Sequence, residues 1–223
     1  MKNQNHMNNV NLTTDAKANL ATNAKANLPV NANANLAVNA NAFELAFRSL
    51  NDELVIIGES LELVCAGGYV MQLNGYRSTL DIDAFYNSNA AINEAIRKVG
   101  DELGINKPDE LWLNNSISNL NPEPTDRYTN AVCQYSNLVV KTVNLVYLMG
   151  MKLVSAREQD LMDVSDILKN HEGLQPLELL SDLTAIGFEV DIAILLDAYE
   201  RVRGMEWLET FYKEKESVLR MYF

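Results

Sequence analysis

The sequence predicts an α+β fold, with a small mixed β-sheet core followed by a helical C-terminal half. Three observations carry that reading. β-rich runs begin at Leu61, Ser78 and Asn137, and stretches with helical spacing separate the first two and follow the second. After the third run every periodic segment has the 3.6-residue spacing of a helix. The first 42 residues differ in composition from everything after them, with 13 Asn, 10 Ala and no aromatic side chain.

Within that opening stretch an eight-residue unit recurs as KANLATNA, KANLPVNA and NANLAVNA from positions 17, 25 and 33, keeping Leu20, Leu28 and Leu36 in register. One Leu in eight cannot bury enough apolar area to offset the entropy of ordering the chain. Residues 1–42 are therefore expected to be a disordered or weakly helical tail, with Pro29 interrupting any helix. The domain proper is expected over 43–223, divided into a sheet-containing core (43–145) and a helical half (146–223).

The elements follow in order. Phe43, Phe47, Leu50 and Leu54 recur at helical spacing and give a first amphipathic helix. LELVC from Leu61 reads as a buried strand ending at the pair Gly67-Gly68, and YVMQLNG from Tyr69 as a short helix closed by Gly75. STLDIDAFY from Ser78 alternates with period two and gives a second strand. A cap near Asn87 and Ser88 opens a helix that closes at Gly104. Residues 105 to about 137, with Pro108, Pro122 and Pro124, read as loop, and NLVVKTVNL from Asn137 as the third strand. Five helical segments then run to the end of the chain.

Lys plus Arg total 18 against 30 Asp plus Glu, a formal charge of −12. The first 42 residues hold three Lys and one Asp, so the remaining 181 carry −14. Such a balance disfavours a protein whose whole surface grips nucleic acid or anionic lipid, and any nucleic-acid partner would need a local basic patch. No run approaches 18 apolar residues and no apolar leader is readable, so a cytoplasmic protein without a membrane partner is expected. Cys65 and Cys133 lie in apolar stretches and read as small buried hydrophobes in a reducing compartment. His6 and His171 have no partner pattern and read as surface residues. Dinucleotide, P-loop and zinc motifs are missing from the sequence.

The stretch from Ala66 to Phe85, AGGYVMQLNGYRSTLDIDAF, is where chemistry concentrates. On a strand, residues two apart share a face, so Asp81 and Asp83 would present adjacent carboxylates with Ile82 turned into the core. Adjacent carboxylates repel unless a cation sits between them, and a hard, oxygen-liganded ion such as magnesium bridging a nucleotide's phosphates neutralises them naturally. The Gly67-Gly68 turn would let backbone N–H groups approach a phosphate, aided by the following helix N-terminus.

This order of features, strand, Gly-Gly, helix, then Arg77-Ser78-Thr79-Leu80-Asp81-Ile82-Asp83, resembles the signature of the nucleotidyltransferase superfamily. It is nearer still to the minimal nucleotidyltransferase-like proteins of bacteria, which include the AbiEii-type toxins of toxin–antitoxin pairs. A second block, MGMKLVSAREQDLMDVSDIL from Met149, is similar to that group's helical segment, with Lys152, Arg157, Asp160 and Asp163 at matching positions. The resemblance implies transfer of a nucleotidyl group from a nucleoside triphosphate to an acceptor hydroxyl on an RNA end or a protein, with an antitoxin protein as a further partner. By the same resemblance Asp81 and Asp83 hold Mg2+, and Gly67, Gly68, Arg77, Ser78 and Arg157 line the nucleotide site. Lys152 then neutralises triphosphate charge as a catalytic residue. Arg77 can equally pair with a nearby carboxylate. Asp160 and Asp163, i and i+3 on one helical face, either orient Arg157 or Lys152 or take part in catalysis.

One departure stands out. The superfamily's later strand usually carries a third carboxylate that activates the acceptor hydroxyl, whereas here that strand carries Lys141. Glu123 and Asp126 lie in the preceding loop and could approach. The absent acid supports a second reading, a catalytically silent relative that keeps the fold to sense a nucleotide or bind a partner.

Overall fold

The computed structural model describes residues 30–120 and 122–220. Helix α1 spans Val30–Ile57 and leads into strand β1, Leu61–Cys65. Helix α2 (Gly67–Leu73), strand β2 (Ile82–Phe85), helix α3 (Ala90–Leu103) and the two-residue strand β3 (Leu113–Asn114) follow. A single 3-10 turn at Asp126–Tyr128 then precedes the hairpin of β4 (Thr129–Gln134) and β5 (Leu138–Val143). Five helices complete the chain: α4 (Leu145–Ser155), α5 (Glu158–Asn170), α6 (Pro176–Ile186), α7 (Ile192–Arg203) and α8 (Met205–Leu219). The fold is α+β, as the sequence predicts.

The five strands form one mixed sheet in the order β3-β2-β1-β5-β4. β1 runs antiparallel to β2 and parallel to β5. β2 pairs in parallel with β3, and β4 with β5 antiparallel. Each face of the sheet builds its own core. Leu61, Leu63 and Cys65 of β1, with Ile82, Ala84, Leu138 and Val140, bury against Phe43, Phe47 and Leu50 of α1 and Ile92 and Ile96 of α3. Period two then sends Val64, Phe85 and Val143 to the opposite face, where Tyr147, Leu153, Val164 and Leu195 of the helical half cover them. Asp83 lies between Ile82 and Ala84 and so belongs to this second face.

Local chemistry sets the element ends. The Asn89 side chain accepts from the Ile92 amide at 2.9 Å to start α3, and Gly104, left-handed at φ 65°, ends it. Asn144 caps α4 by accepting from the Tyr147 amide at 2.9 Å. Ala156, at φ 51°, is the single non-glycine residue of positive φ among the described residues. It turns the chain sharply between α4 and α5 and so places Lys152 against the first turns of α5.

Element bounds and one side chain differ from expectation as follows. Helix α1 begins at Val30, thirteen residues before Phe43, so part of the Asn/Ala-rich stretch is helical; residues 1–29 of the expected tail lie outside the described residues. β2 begins at Ile82 and not Ser78, because Thr79 bonds to Asp81 and to Gln72 of α2 instead of to a neighbouring strand. Two strands, β3 and β4, occupy the segment read as loop. β4 is an edge strand with mostly exposed side chains and a register shift between Ala131 and Cys133, and hence lacks the alternation of a half-buried strand. Finally, His171 is half-buried, its Nε2 3.3 Å from the Tyr76 hydroxyl, and burial holds its pKa below the ordinary value, so it is no plain surface residue. His6 lies outside the described residues. Cys65 is buried and Cys133 half-buried, both as free thiols, and burial pushes Cys65 up in pKa. No helix of the described residues is long and apolar enough to cross a membrane.

Candidate functional site

The site forms where α2 leaves β1 and meets the approach to β2. The Ala66 amide donates to the Asp83 carbonyl at 2.8 Å and fixes the strand-to-helix turn against β2. Gly67 adopts φ 58°, and a Cβ there would lie 2.8 Å from Asp83 Oδ2. A Cβ on Gly68 would stand 2.5 Å from Thr79 Oγ1 and 3.3 Å from a terminal nitrogen of Arg77. The glycine pair therefore admits the protein's own carboxylate and hydroxyl to the first turn of α2. The Thr79 amide donates to Gln72 Oε1 of that helix at 2.9 Å, and Thr79 Oγ1 donates to Asp81 Oδ1 at 3.1 Å.

Asp81 and Asp83 are both half-buried beside this turn. Asp81 Oδ2 accepts from Lys107 Nζ at 3.0 Å, and Asp83 Oδ1 from Ser116 Oγ at 3.4 Å. Among the described residues no group of three His, Cys, Asp or Glu side chains is placed to hold a metal ion. Two carboxylates with only oxygen donors nevertheless suit magnesium, which is commonly held by one or two carboxylates together with water and substrate phosphates. The Lys107 ammonium on Asp81 shows that a cation already fits there.

The second motif builds a buried ion cluster beside the first. Lys152, Asp160 and Asp163 are 5, 4 and 1% exposed. Lys152 Nζ donates to Asp160 Oδ1 at 3.0 Å and to Asp163 Oδ2 at 2.6 Å. Arg77 clasps Asp163 with two hydrogen bonds of 2.8 and 2.9 Å, linking the two motifs across the fold. Arg157 donates to Asp160 Oδ2 at 2.7 Å, and Gln159 to Asp163 Oδ1 at 2.9 Å. Burial alone would raise the pKa values of both carboxyls. For Asp160 the bonds from Arg157 and Lys152 outweigh it, and for Asp163 those from Arg77 and Lys152, so both stay below the ordinary range. The Asp163 hydrogen bond raises Arg77, and Asp160 raises Arg157, whose side chain remains 78% exposed.

The expected residues thus gather in one region, with their contacts redistributed. Asp81, Asp83, Gly67, Gly68 and Arg77 interlock, and Asp83 adds to the field at Arg157. Lys152, expected to neutralise triphosphate charge, is enclosed by two carboxylates. Ser78 is exposed, and its carbonyl accepts from Arg77 at 3.4 Å. Lys141 projects to the same sheet face as Asp83 and bonds Glu62 at 2.8 Å and Asp126 at 3.0 Å, so Asp126 does approach the strand that lacks an acid. Glu123 is exposed. Lys107 was missed, because a lysine in a loop carries no sequence signal until the fold brings it to Asp81.

A family model described as a nucleotidyltransferase of unknown function (DUF6036) matches residues 36–184, more than half of the chain. No curated protein and no solved structure matches the chain significantly.

Proposed function

The chain belongs to this nucleotidyltransferase family, and from that premise we propose that it moves a nucleotidyl group from a magnesium-bound nucleoside triphosphate to an acceptor hydroxyl. The observation that carries the reading is the interlock of Gly67 with Asp83 and of Gly68 with Thr79 and Arg77. It joins an aspartate, a glycine turn and Arg77, with Asp81 bonded to Thr79, the kind of arrangement that positioning and charge stabilisation of a transferring phosphoryl group require.

In this reading Asp81 and Asp83 hold the metal, which when bound would neutralise phosphate oxygens and orient the donor. The exposed guanidinium of Arg157 and the amides of Gly67 and Gly68 contact phosphate, with Ser78 at the rim. Arg77 and Lys152 act by position: Arg77 ties the carboxylate-bearing loop to Asp163, and Lys152 holds Asp160 and Asp163 where they fix both arginines. The acceptor oxygen attacks the α-phosphorus, the bond to the bridging oxygen breaks, pyrophosphate leaves with that electron pair, and the acceptor proton passes to solvent or a nearby base. The charge of −12 favours a protein hydroxyl over an extended RNA as acceptor. A toxin role would bring an antitoxin protein as partner.

Lys141 in place of an acid on β5 supports the second reading, a relative that binds nucleotide without transfer. The two separate when the full chain is incubated with magnesium and each nucleoside triphosphate labelled at the α-phosphate, together with a lysate as acceptor source. Transfer of label that Asp83→Asn abolishes supports the enzyme. Nucleotide binding without transfer supports the silent relative.

A further inference from the structure

Lys107 is aimed at Asp81 by a loop that the fold holds firmly. The Lys107 amide donates to the Glu110 carbonyl at 2.9 Å across a tight turn with Pro108 at its second position. The side chain of Asn106 donates to the Arg97 carbonyl at 2.9 Å and to Asp101 at 2.8 Å, and accepts from the Trp112 amide at 3.1 Å. That carboxamide fills the space above Gly100, where any Cβ would collide with it. Trp112 is 1% exposed, its indole N–H donates to the Ile96 carbonyl at 2.9 Å, and its own carbonyl accepts from the Ile82 amide at 2.7 Å. The loop is therefore bonded to the residue between the two aspartates. Lys107 Nζ lies 3.0 Å from Asp81 Oδ2 and 2.7 Å from Glu110 Oε2.

We infer that Lys107 is the built-in counter-cation of this site: its ammonium holds Asp81 in the metal-free protein, gives way to the divalent cation, and then binds the donor's triphosphate. The inference rests on the transferase reading and adds a substrate-binding residue to it. A divalent ion bound through Asp81 Oδ2 would compete with the ammonium for that oxygen. The displaced ammonium, still anchored through a rigid turn, remains within a side-chain swing of any phosphate bound to that ion. Lys107 is 39% exposed in its side chain, so replacing it leaves the core untouched.

The two roles act in opposite directions, and that gives the test. The full chain and Lys107→Met are titrated with Mn2+ alone, followed by electron paramagnetic resonance, and with Mg-ATP, followed by calorimetry. Both are repeated in a Glu110→Gln background so that a freed Glu110 carboxylate cannot supply new metal affinity. Lys107→Met is expected to bind Mn2+ alone about two- to five-fold more tightly, the range an exposed ion pair supports. It is expected to bind Mg-ATP about ten-fold or more weakly, as for a lost hydrogen bond to a charged group. Lys107→Arg keeps the charge and returns both affinities toward the native values. Equal affinities in both titrations, or shifts in the same direction, overturn the assignment of Lys107 alone. Failure of Mn2+ and Mg-ATP to bind either protein overturns the transferase reading and this inference with it.

Discussion

Replacing Lys152 by Met removes the ammonium that bonds both Asp160 and Asp163 while keeping an unbranched side chain of similar length. All three groups are at most 5% exposed, so the two carboxylates would lose a partner that water cannot replace. Breaking a buried ion pair costs about 3–5 kcal/mol. Each aspartate keeps an arginine, Arg157 on Asp160 and Arg77 on Asp163, which places the expectation near the lower end, about 3 kcal/mol. For a chain of this size that lowers the unfolding midpoint by about 6–12 °C. The pH dependence follows from the sign of the shifts. Folded Asp160 and Asp163 titrate below their unfolded values, so the stability they contribute is complete above the unfolded carboxylate range near pH 4 and fades as pH falls through the lowered values. In Lys152→Met burial is less opposed and both pKa values rise. The gap between native and variant should thus be widest at pH 7 and narrow as pH falls and the unpaired carboxylates take up protons. Urea unfolding followed by circular dichroism at pH 7, 5.5 and 4 measures it. A gap below about 1 kcal/mol, the size of an exposed ion pair, or one that does not change with pH, would refute the claim that this cluster is a buried, interdependent unit.

Three further outcomes follow from the same geometry. Asp81→Asn should leave the unfolding midpoint within about 3 °C of native, since it weakens only the part-exposed Lys107 pair and the carboxamide oxygen can still accept from Thr79, yet abolish magnesium-dependent binding of nucleoside triphosphate in a thermal-shift assay. Gly68→Ala should destabilise by about 1–3 kcal/mol in urea unfolding, because its Cβ would press on Thr79 at 2.5 Å and force the Thr79–Asp81 contact to shift. Trp112→Ala should cost about 3–5 kcal/mol by the same assay, through loss of a 1% exposed indole and its bond to Ile96.

The sequence showed the helical half clearly, and the reasons are local. Gly187 ends α6 at φ 107°, Pro176 opens it, and Asp191 caps α7 by accepting from the Ala193 amide at 2.8 Å, so each boundary is written in residues with one strong conformational preference. β1 and β5 were legible because one face of each is fully buried and the other partly covered, so each reads as a short, mostly apolar run. β4 was not, because its side chains are mostly exposed and its order comes from hydrogen bonds to β5. The candidate site divides in the same way. Asp81, Asp83 and the glycine pair share one continuous stretch and could be read together. The partnerships Arg77–Asp163 and Lys107–Asp81 join residues 86 and 26 positions apart, which periodicity does not register. The enclosure of Lys152 likewise depends on the turn at Ala156, where an alanine adopts a conformation that nothing in its identity announces.

Calorimetric titration of the full chain with each nucleoside triphosphate, with and without magnesium, alongside Asp83→Asn, tests the central claim most directly. Binding of at least one triphosphate that requires magnesium, and that disappears in Asp83→Asn while the unfolding midpoint is unchanged, is the predicted result. Binding that Asp83→Asn leaves intact, or no binding of any triphosphate to the native chain, would contradict the assignment of Asp81 and Asp83 as the metal and nucleotide site.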